Sequence, residues 1–156
     1  MDKVVYAEDV VAGTAYDLGS YAVTMDEVLE FSRQWDPHDI HDEQAGVGHF
    51  GGTIASGLYS MAILQRLAIL NVYRHWAILA GRRISDVSFR APARPGMTLQ
   101  GSLVIDSIDM RDDTRALITV SKTLANEGAV ILTSTHEFYM FRRPRSLAVE
   151  SPGGGE

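Results

Sequence analysis

Two side chains in one short loop could carry acid–base chemistry. Asp36 and His41 lie five residues apart, and Pro37 prevents the residues around it from continuing a helix. Histidine titrates near neutral pH, and a carboxylate beside it can orient the imidazole or activate a water molecule. The spacing therefore suggests proton transfer, although Asp–His pairs of this kind are also common in surface loops.

The same loop leaves two other interpretations open. His41 could cap a helix or make a hydrogen bond within the loop without any catalytic role. His38 and His41, with the acids Asp36, Asp39 and Asp42, also offer nitrogen and oxygen ligands for a metal ion. No further histidine cluster accompanies them, so we predict a site without metal.

A glycine before a long apolar segment is a second candidate group. Gly57 falls in the first turn of a predicted helix, where backbone N–H groups lack intrahelical partners and can face an anion. A thioester oxygen placed there would be stabilised as an enolate forms. No Gly-Lys-Ser/Thr follows the nearby glycines, and Ser56 lacks the pattern of a nucleophile elbow. We therefore predict proton transfer next to an activated carbonyl.

Two helices are predicted to position these groups. Thr24-Met25-Asp26-Glu27 has the form of a capping box, and the helix after it should end near Trp35 because Pro37 follows. A second helix is predicted between about Ile54 and Val72. Its apolar residues cover most of its circumference, so we expect it to be nearly enclosed.

Strands make up most of the remaining chain. They are predicted at Tyr16–Val23, Ile84–Arg90, Leu99–Met110, Arg115–Leu124 and Val130–Phe141. The last three are joined by short turns and should form an antiparallel meander, and Arg94-Pro95-Gly96-Met97 predicts a type II turn before them. This order predicts an α+β fold in which a curved antiparallel sheet wraps around one long central helix.

Composition limits both the architecture and the class of partner. The 156 residues predict one domain over residues 1–145, followed by a flexible tail over residues 146–156. Its 14 basic and 20 acidic residues give a net charge of −6, which argues against nucleic acid and anionic membranes as partners. Arginines 142, 143 and 145 are interpreted as solvated rather than as a phosphate contact.

The cysteine content and one apolar segment limit the chemistry and the location expected of the protein. There is no cysteine, which excludes thiolate nucleophiles, disulfides and zinc–thiolate sites and fits a cytoplasmic protein. The apolar residues 53–73 are long enough to span a bilayer, but Gln65 and Arg66 lie near their middle. We therefore predict a helix of a soluble protein.

Three segments of the chain together resemble the MaoC-like dehydratases, single-hot-dog relatives of the (R)-specific enoyl-CoA hydratases. They are Phe31–Asp42, Phe50–Gly57 and Phe89–Gly96, and the likeness extends over about residues 10 to 143. The resemblance implies a hot-dog fold and a reversible enoyl-thioester hydratase or 3-hydroxyacyl-thioester dehydratase. It implies a CoA or acyl-carrier-protein thioester as substrate, no cofactor, and a site completed between subunits of a homodimer or a dimer of dimers.

The resemblance also assigns roles to residues. Asp36 and His41 would hold and deprotonate water for addition to the β-carbon of a trans-2-enoyl thioester, and the amide of Gly57 would bind the thioester oxygen. Ser56, Tyr59 and Ser60 are candidate substrate contacts. Two alternatives stay open: a hot-dog acyl-CoA thioesterase, and a non-catalytic acyl-thioester-binding paralogue. The intact Asp–His pair favours hydration over both.

The chain departs from the family pattern at two positions in the loop and at one position at the start of the second predicted helix. His38 and Asp39 stand where many relatives have asparagine, or glutamine and proline, and Ser56 stands where relatives often have histidine. His38 and Asp39 could influence His41, form a polar rim around the thioester, or simply face solvent. The amide of Gly57 is unaffected by the change at position 56.

Overall fold

The computed structural model describes residues 2–43 and 48–146. Its helices and strands are α1 (Met25–Trp35), α2 (Gly57–Asn71), β1 (Ala15–Ala22), β2 (Ile78–Phe89), β3 (Thr98–Met110), β4 (Arg115–Asn126) and β5 (Ala129–Phe141). The strands form one antiparallel sheet in the order β1-β3-β4-β5-β2. The predicted meander and the α+β class are both confirmed.

Helix α1 begins and ends where the sequence predicts, but its capping box is only half formed. The Thr24 hydroxyl accepts a hydrogen bond from the Glu27 N–H at 3.3 Å, as a capping residue should. The Glu27 carboxylate does not reach back, because it accepts hydrogen bonds from the hydroxyls of Tyr21 at 2.6 Å and Tyr59 at 2.8 Å. These two hydroxyls, Tyr21 first, hold the pKa of Glu27 below its ordinary value.

Helix α2 packs one side against the sheet and leaves the other side open. The residues buried on its covered side are Tyr59, Ser60, Ile63, Leu64, Leu67 and Ala68. Leu58 and Ile69 on the opposite side, and Leu70 in the last turn of the helix, remain between 42% and 56% exposed. The prediction of a nearly enclosed helix is therefore wrong for the single chain, because one sheet covers only one side of a helix. No helix in the described ranges is long and apolar enough to cross a membrane.

Strand β2 lies at one edge of the sheet and begins six residues before the predicted Ile84. Its first half, Ile78–Arg83, pairs with the end of β5, and the side chains of Arg82 and Arg83 contact Glu137 at 2.9 and 3.5 Å. The sequence did not predict this half as a strand, because Gly81, Arg82 and Arg83 interrupt the alternation of apolar and polar residues that is typical of strands. At an edge, backbone pairing to a single neighbour suffices without that alternation.

The end of the described chain is tied to its beginning by ion pairs. Arg142 lies 2.9 Å from Glu8, and Arg143 lies 2.6 Å from Asp9. Arg145 contacts Asp113 at 3.1 Å. These arginines are paired with acids of the same chain, and the side chains of Arg143 and Arg145 remain exposed to solvent, as predicted. The predicted flexible tail, apart from residue 146, lies outside the described residues.

Candidate active site

The loop after α1 carries a short 3₁₀ turn that sets the direction of the catalytic candidate His41. The turn spans Asp39–His41, and the His38 ring caps it by accepting a hydrogen bond from the Ile40 N–H at its Nδ1, at 3.3 Å. His38 is exposed and its ring centre lies 6.4 Å from that of His41. This departure from the family pattern thus shapes the turn that carries His41.

Asp36 and His41 are brought into direct contact. His41 Nε2 lies 3.2 Å from Asp36 Oδ2, and His41 Nδ1 lies 2.7 Å from the backbone oxygen of Ile54. A carbonyl oxygen can only accept, so Nδ1 carries hydrogen and donates to Ile54. Nε2 is therefore the nitrogen that can gain or lose a proton, and it faces the carboxylate. The imidazole is buried, whereas the Asp36 side chain is 34% exposed and open to water.

Ser56 lies behind this pair and fixes the position of the carboxylate. Its hydroxyl donates to Asp36 Oδ2 at 2.6 Å and accepts from the Leu58 N–H at 3.2 Å. The residue is 0% exposed. One hydroxyl thus caps α2 and orients Asp36, and Ser56 itself does not line the cavity described below.

Gly57 is the first residue of α2, and its surroundings require a glycine. A β-carbon added there would lie 2.5 Å from the Phe89 ring, closer than van der Waals contact allows. The N–H of Gly57 belongs to the first turn, where amides have no partner within the helix. An incoming oxygen atom can approach this amide because no side chain stands on Gly57.

A cavity of about 370 Å³ adjoins these groups. His41, Gly57 and the buried Ser60 lie in its wall, which is completed mainly by apolar residues on Phe50–Ala55, Phe89–Ala93 and Ile131. This lining suits an apolar ligand whose polar end lies near His41 and Gly57.

Tyr59 does not line this cavity. Its ring packs against Phe31 with the ring centres 5.5 Å apart, and its hydroxyl donates to Glu27 at 2.8 Å. Burial, followed by the neighbouring Glu27, raises the pKa of Tyr59. The structure therefore assembles Asp36, His41, Ser56, Gly57 and Ser60 and places Tyr59 between the two helices.

Two groups that contribute to the site are not among the site residues predicted from the sequence. The Ile54 carbonyl fixes His41, and a backbone acceptor leaves no signal in residue type. Phe89 belongs to the third family-like segment, but its contact with Gly57 depends on the packing of β2 against α2. Within residues 2–43 and 48–146, no group of three or more histidines and acids is arranged to hold a metal ion.

Comparisons with known proteins concern the family and the fold of the chain. The family model described as the MaoC like domain matches residues 9–127. The chain is similar to the MaoC-like dehydratase of Rhodospirillum rubrum, with 29% identity and a TM-score of 0.80 over 90% of this chain and 99% of that one. It shares its fold with R-hydratase PhaJ1 of Pseudomonas aeruginosa, with 17% identity and a TM-score of 0.69 over 98% and 97% of the two chains. The predicted hot-dog fold is confirmed.

One curated relative matches over a shorter stretch. The uncharacterized protein YdeM of Bacillus subtilis is 30% identical over 90 residues, which are 56% of this chain. The matched region spans 64% of that protein, slightly less than two thirds of its length.

Proposed function

The chain belongs to the family of MaoC-like domains, and we propose that it catalyses the reversible hydration of trans-2-enoyl thioesters to 3-hydroxyacyl thioesters. The observation that carries the proposal is the 3.2 Å contact between His41 Nε2 and Asp36 Oδ2 beside a cavity whose wall includes Gly57. A base with a fixed tautomer and an unpaired helix-start amide are the two groups that this reaction needs.

The proposed reaction begins with a water molecule held by Asp36 and His41. The water gives one proton to the pair as its oxygen bonds to the β-carbon, and the electrons of the carbon–carbon double bond move towards the thioester oxygen. The N–H of Gly57 donates a hydrogen bond to the resulting enolate. The pair then delivers its proton to the α-carbon, so that one hydrogen and one hydroxyl have been added. Dehydration follows the same steps in reverse.

We extend the proposal to the substrate carrier and to the assembly. The thioester would be carried by CoA or by an acyl-carrier protein, and a second copy of the chain would complete the site. The exposed apolar residues Leu58, Ile69 and Leu70 on α2, together with the open edge of β2, support an interface between copies. Light scattering should then give a molecular mass of at least twice the 17.1 kDa of one chain.

Crotonyl-CoA tests the reaction directly. Hydration should remove the absorbance of the conjugated thioester and form 3-hydroxybutyryl-CoA, without releasing free CoA. Release of free CoA in step with the absorbance loss would instead indicate a thioesterase. Binding without turnover across short, medium and branched enoyl-CoA substrates would contradict the proposal and favour a non-catalytic paralogue.

Ser56→Ala tests whether the Ser56 hydroxyl positions Asp36 for catalysis in addition to stabilising the start of α2. We expect kcat for crotonyl-CoA to fall about tenfold, because Asp36 loses a hydrogen bond to a charged oxygen. The free energy of unfolding in urea should fall by about 1–2 kcal/mol, because α2 loses its cap. Ser56→Thr, which keeps the hydroxyl, should recover much of kcat.

Ser32→Ala is the matched control for Ser56→Ala. Ser32 is also buried, but its hydroxyl donates to the Val28 carbonyl within α1. This variant should keep kcat whatever its stability. An unchanged kcat in Ser56→Ala would contradict the positioning role.

Gly57→Ala should reduce activity through a steric clash. The new methyl group meets the Phe89 ring, so either the ring or the start of α2 must move, at a cost of about 1–3 kcal/mol for overpacking. We expect kcat/KM for crotonyl-CoA to fall at least about tenfold, since a tenfold loss needs only about 1.4 kcal/mol of lost transition-state stabilisation. Phe89→Ala removes the ring that the new methyl group meets. Adding Gly57→Ala to Phe89→Ala should therefore lower kcat/KM by less than adding Gly57→Ala to the unmodified protein. Full activity in Gly57→Ala would show that the helix start tolerates a side chain.

A further inference from the structure

One buried polar side chain in the wall of the cavity beside His41 has no role in the reaction proposed above. Ser60 is 3% exposed and lines this cavity together with His41 and Gly57. Buried hydroxyl groups are normally hydrogen-bonded, because burying one without a partner costs free energy. The acceptor available to the Ser60 hydroxyl therefore indicates what this residue does.

A buried serine in a helix usually donates to the carbonyl one turn earlier. Ser32 in α1 does so, since its hydroxyl donates to the Val28 carbonyl at 2.7 Å. The corresponding carbonyl for Ser60 is that of Ser56, which accepts the Ser60 N–H at 3.2 Å and not the hydroxyl. Within the described ranges, the side-chain hydrogen bonds at the start of α2 are those of Ser56 and Tyr59, and none of them involves the Ser60 hydroxyl.

The Ser60 hydroxyl is open to the cavity rather than sealed in protein. In the part of the chain that the structure describes, the only fully enclosed side-chain oxygen or nitrogen without a partner is the hydroxyl of Tyr73. Since the Ser60 oxygen has no partner and is not one of these enclosed atoms, the small exposed area of the residue includes this oxygen. A ligand in the cavity can therefore accept a hydrogen bond from it.

A second copy of the chain packed against the exposed side of α2 does not reach Ser60. This residue lies on the side of the helix that packs against the sheet, whereas the exposed Leu58 and Ile69 lie on the opposite side. With 3% of its surface exposed in the single chain, Ser60 leaves almost no area for another protein to cover. The acceptor must be a group small enough to enter the cavity.

Helix geometry carries the Ser60 hydroxyl towards the amide of Gly57. Residues three apart lie on the same face of a helix, about 4.5 Å apart along its axis. The Cα–Cβ bond tilts towards the N-terminus of the helix, so the Ser60 oxygen lies back towards the first turn, where the N–H of Gly57 has no intrahelical partner. One oxygen atom about 3 Å from each of two donors fits between groups separated in this way.

We propose that Ser60 is a second donor to the thioester oxygen, so that its O–H and the N–H of Gly57 together form an oxyanion hole. The inference rests on the proposed hydration reaction and adds a catalytic residue to it. As water adds to the β-carbon, negative charge develops on the thioester oxygen and both hydrogen bonds strengthen. The Ser60 proton stays on Ser60 throughout, because Asp36 and His41 carry the proton that is transferred.

Kinetics and stability should respond to Ser60→Ala in opposite ways. We expect kcat for crotonyl-CoA to fall about 10²-fold with KM changed less than about threefold, because the lost hydrogen bond is strongest in the transition state. The midpoint of urea unfolding should not fall, because the hydroxyl that is removed makes no hydrogen bond in the fold. Ser32→Ala should do the reverse, with kcat unchanged and a lower midpoint. Ser60→Cys keeps the size of the side chain but is a weak donor, so it should resemble Ser60→Ala.

The carbonyl stretch of a bound thioester reports these hydrogen bonds without any turnover. Butyryl-CoA labelled with ¹³C at the thioester carbon cannot be hydrated, because it lacks the double bond. Its carbonyl band in difference infrared spectra should move to lower frequency on binding, and Ser60→Ala should remove part of this shift while Ser32→Ala leaves it intact. Butyryl-pantetheine carries the arm common to CoA and acyl-carrier proteins and serves as the second probe.

These measurements distinguish failure of this inference from failure of the proposed reaction. A carbonyl shift that depends on Ser60, in a protein that does not hydrate crotonyl-CoA, would support the contact and contradict the reaction. An unchanged carbonyl band in Ser60→Ala would overturn the inference even if kcat falls, because the hydroxyl would then act on the water. A butyryl adduct on Ser60 in mass spectra would identify a nucleophile and overturn it as well. Failure of both thioesters to bind the unmodified protein would overturn the inference and the reaction together.

Discussion

His41→Gln and Asp36→Asn should each lower kcat for crotonyl-CoA hydration by about 10²–10⁴-fold, the usual range for losing a general acid–base group. Glutamine cannot take a proton at the position of Nε2. Asparagine keeps an oxygen that can accept from Ser56 but loses the charge that attracts the water proton. Stopped-flow or steady-state absorbance assays, with urea unfolding to verify the fold, provide the measurement.

The controls for these variants come from the same residue types. Asp39→Asn changes an exposed acid in the 3₁₀ turn, and His75→Gln changes an exposed histidine that contacts Asp2. Both should retain kcat within about twofold, because neither side chain takes part in the contact between Asp36 and His41. Normal turnover in His41→Gln or Asp36→Asn would contradict the proposal that these two residues hold and deprotonate the water molecule.

Leu64→Ala should destabilise the fold more than the other substitutions discussed. Leu64 is 0% exposed on the side of α2 that faces the sheet, and replacing such a leucine costs about 2–5 kcal/mol through lost burial and the cavity left behind. This is a large part of the 5–15 kcal/mol typical of a whole domain. The midpoint of urea unfolding should fall accordingly, with the slope of the transition unchanged.

Leu70→Ala is the matched control on the same helix. Leu70 is 46% exposed in the last turn of α2, so within one chain its loss should cost about 0.5 kcal/mol or less. Equal losses in the two variants would contradict the one-sided packing of α2. A cost for Leu70→Ala that grows with protein concentration would place this residue in the interface between copies.

The features that the sequence predicted correctly depend on neighbouring residues. Thr24 caps α1, and Pro37 is compatible with the end of that helix at Trp35. Gly96 adopts a φ of +92°, and the Met97 N–H donates to the Arg94 carbonyl at 3.1 Å, as the predicted type II turn requires. Each of these outcomes is determined by interactions within a few residues.

The features that escaped prediction depend on distant packing. Ser56 reaches Asp36 across 20 residues of sequence. Lys122 occupies an inward position of β4, opposite Ser134 of β5, where the alternation of the strand overrides the usual preference of lysine for solvent. The Asp36–His41 pair was visible as a spacing, but its catalytic interpretation needed the Ile54 carbonyl, which only the folded chain provides.

The ion pairs of Arg142 with Glu8 and of Arg143 with Asp9 hold the two ends of the described fold side by side. Ile131 of β5 lies in the wall of the His41 cavity, and Phe141 at the end of the same strand directly precedes these ion pairs. The strand between Ile131 and Phe141 is roughly 30 Å long. A fluorophore, an affinity tag or a surface linker attached at either end should therefore leave the cavity mouth unobstructed.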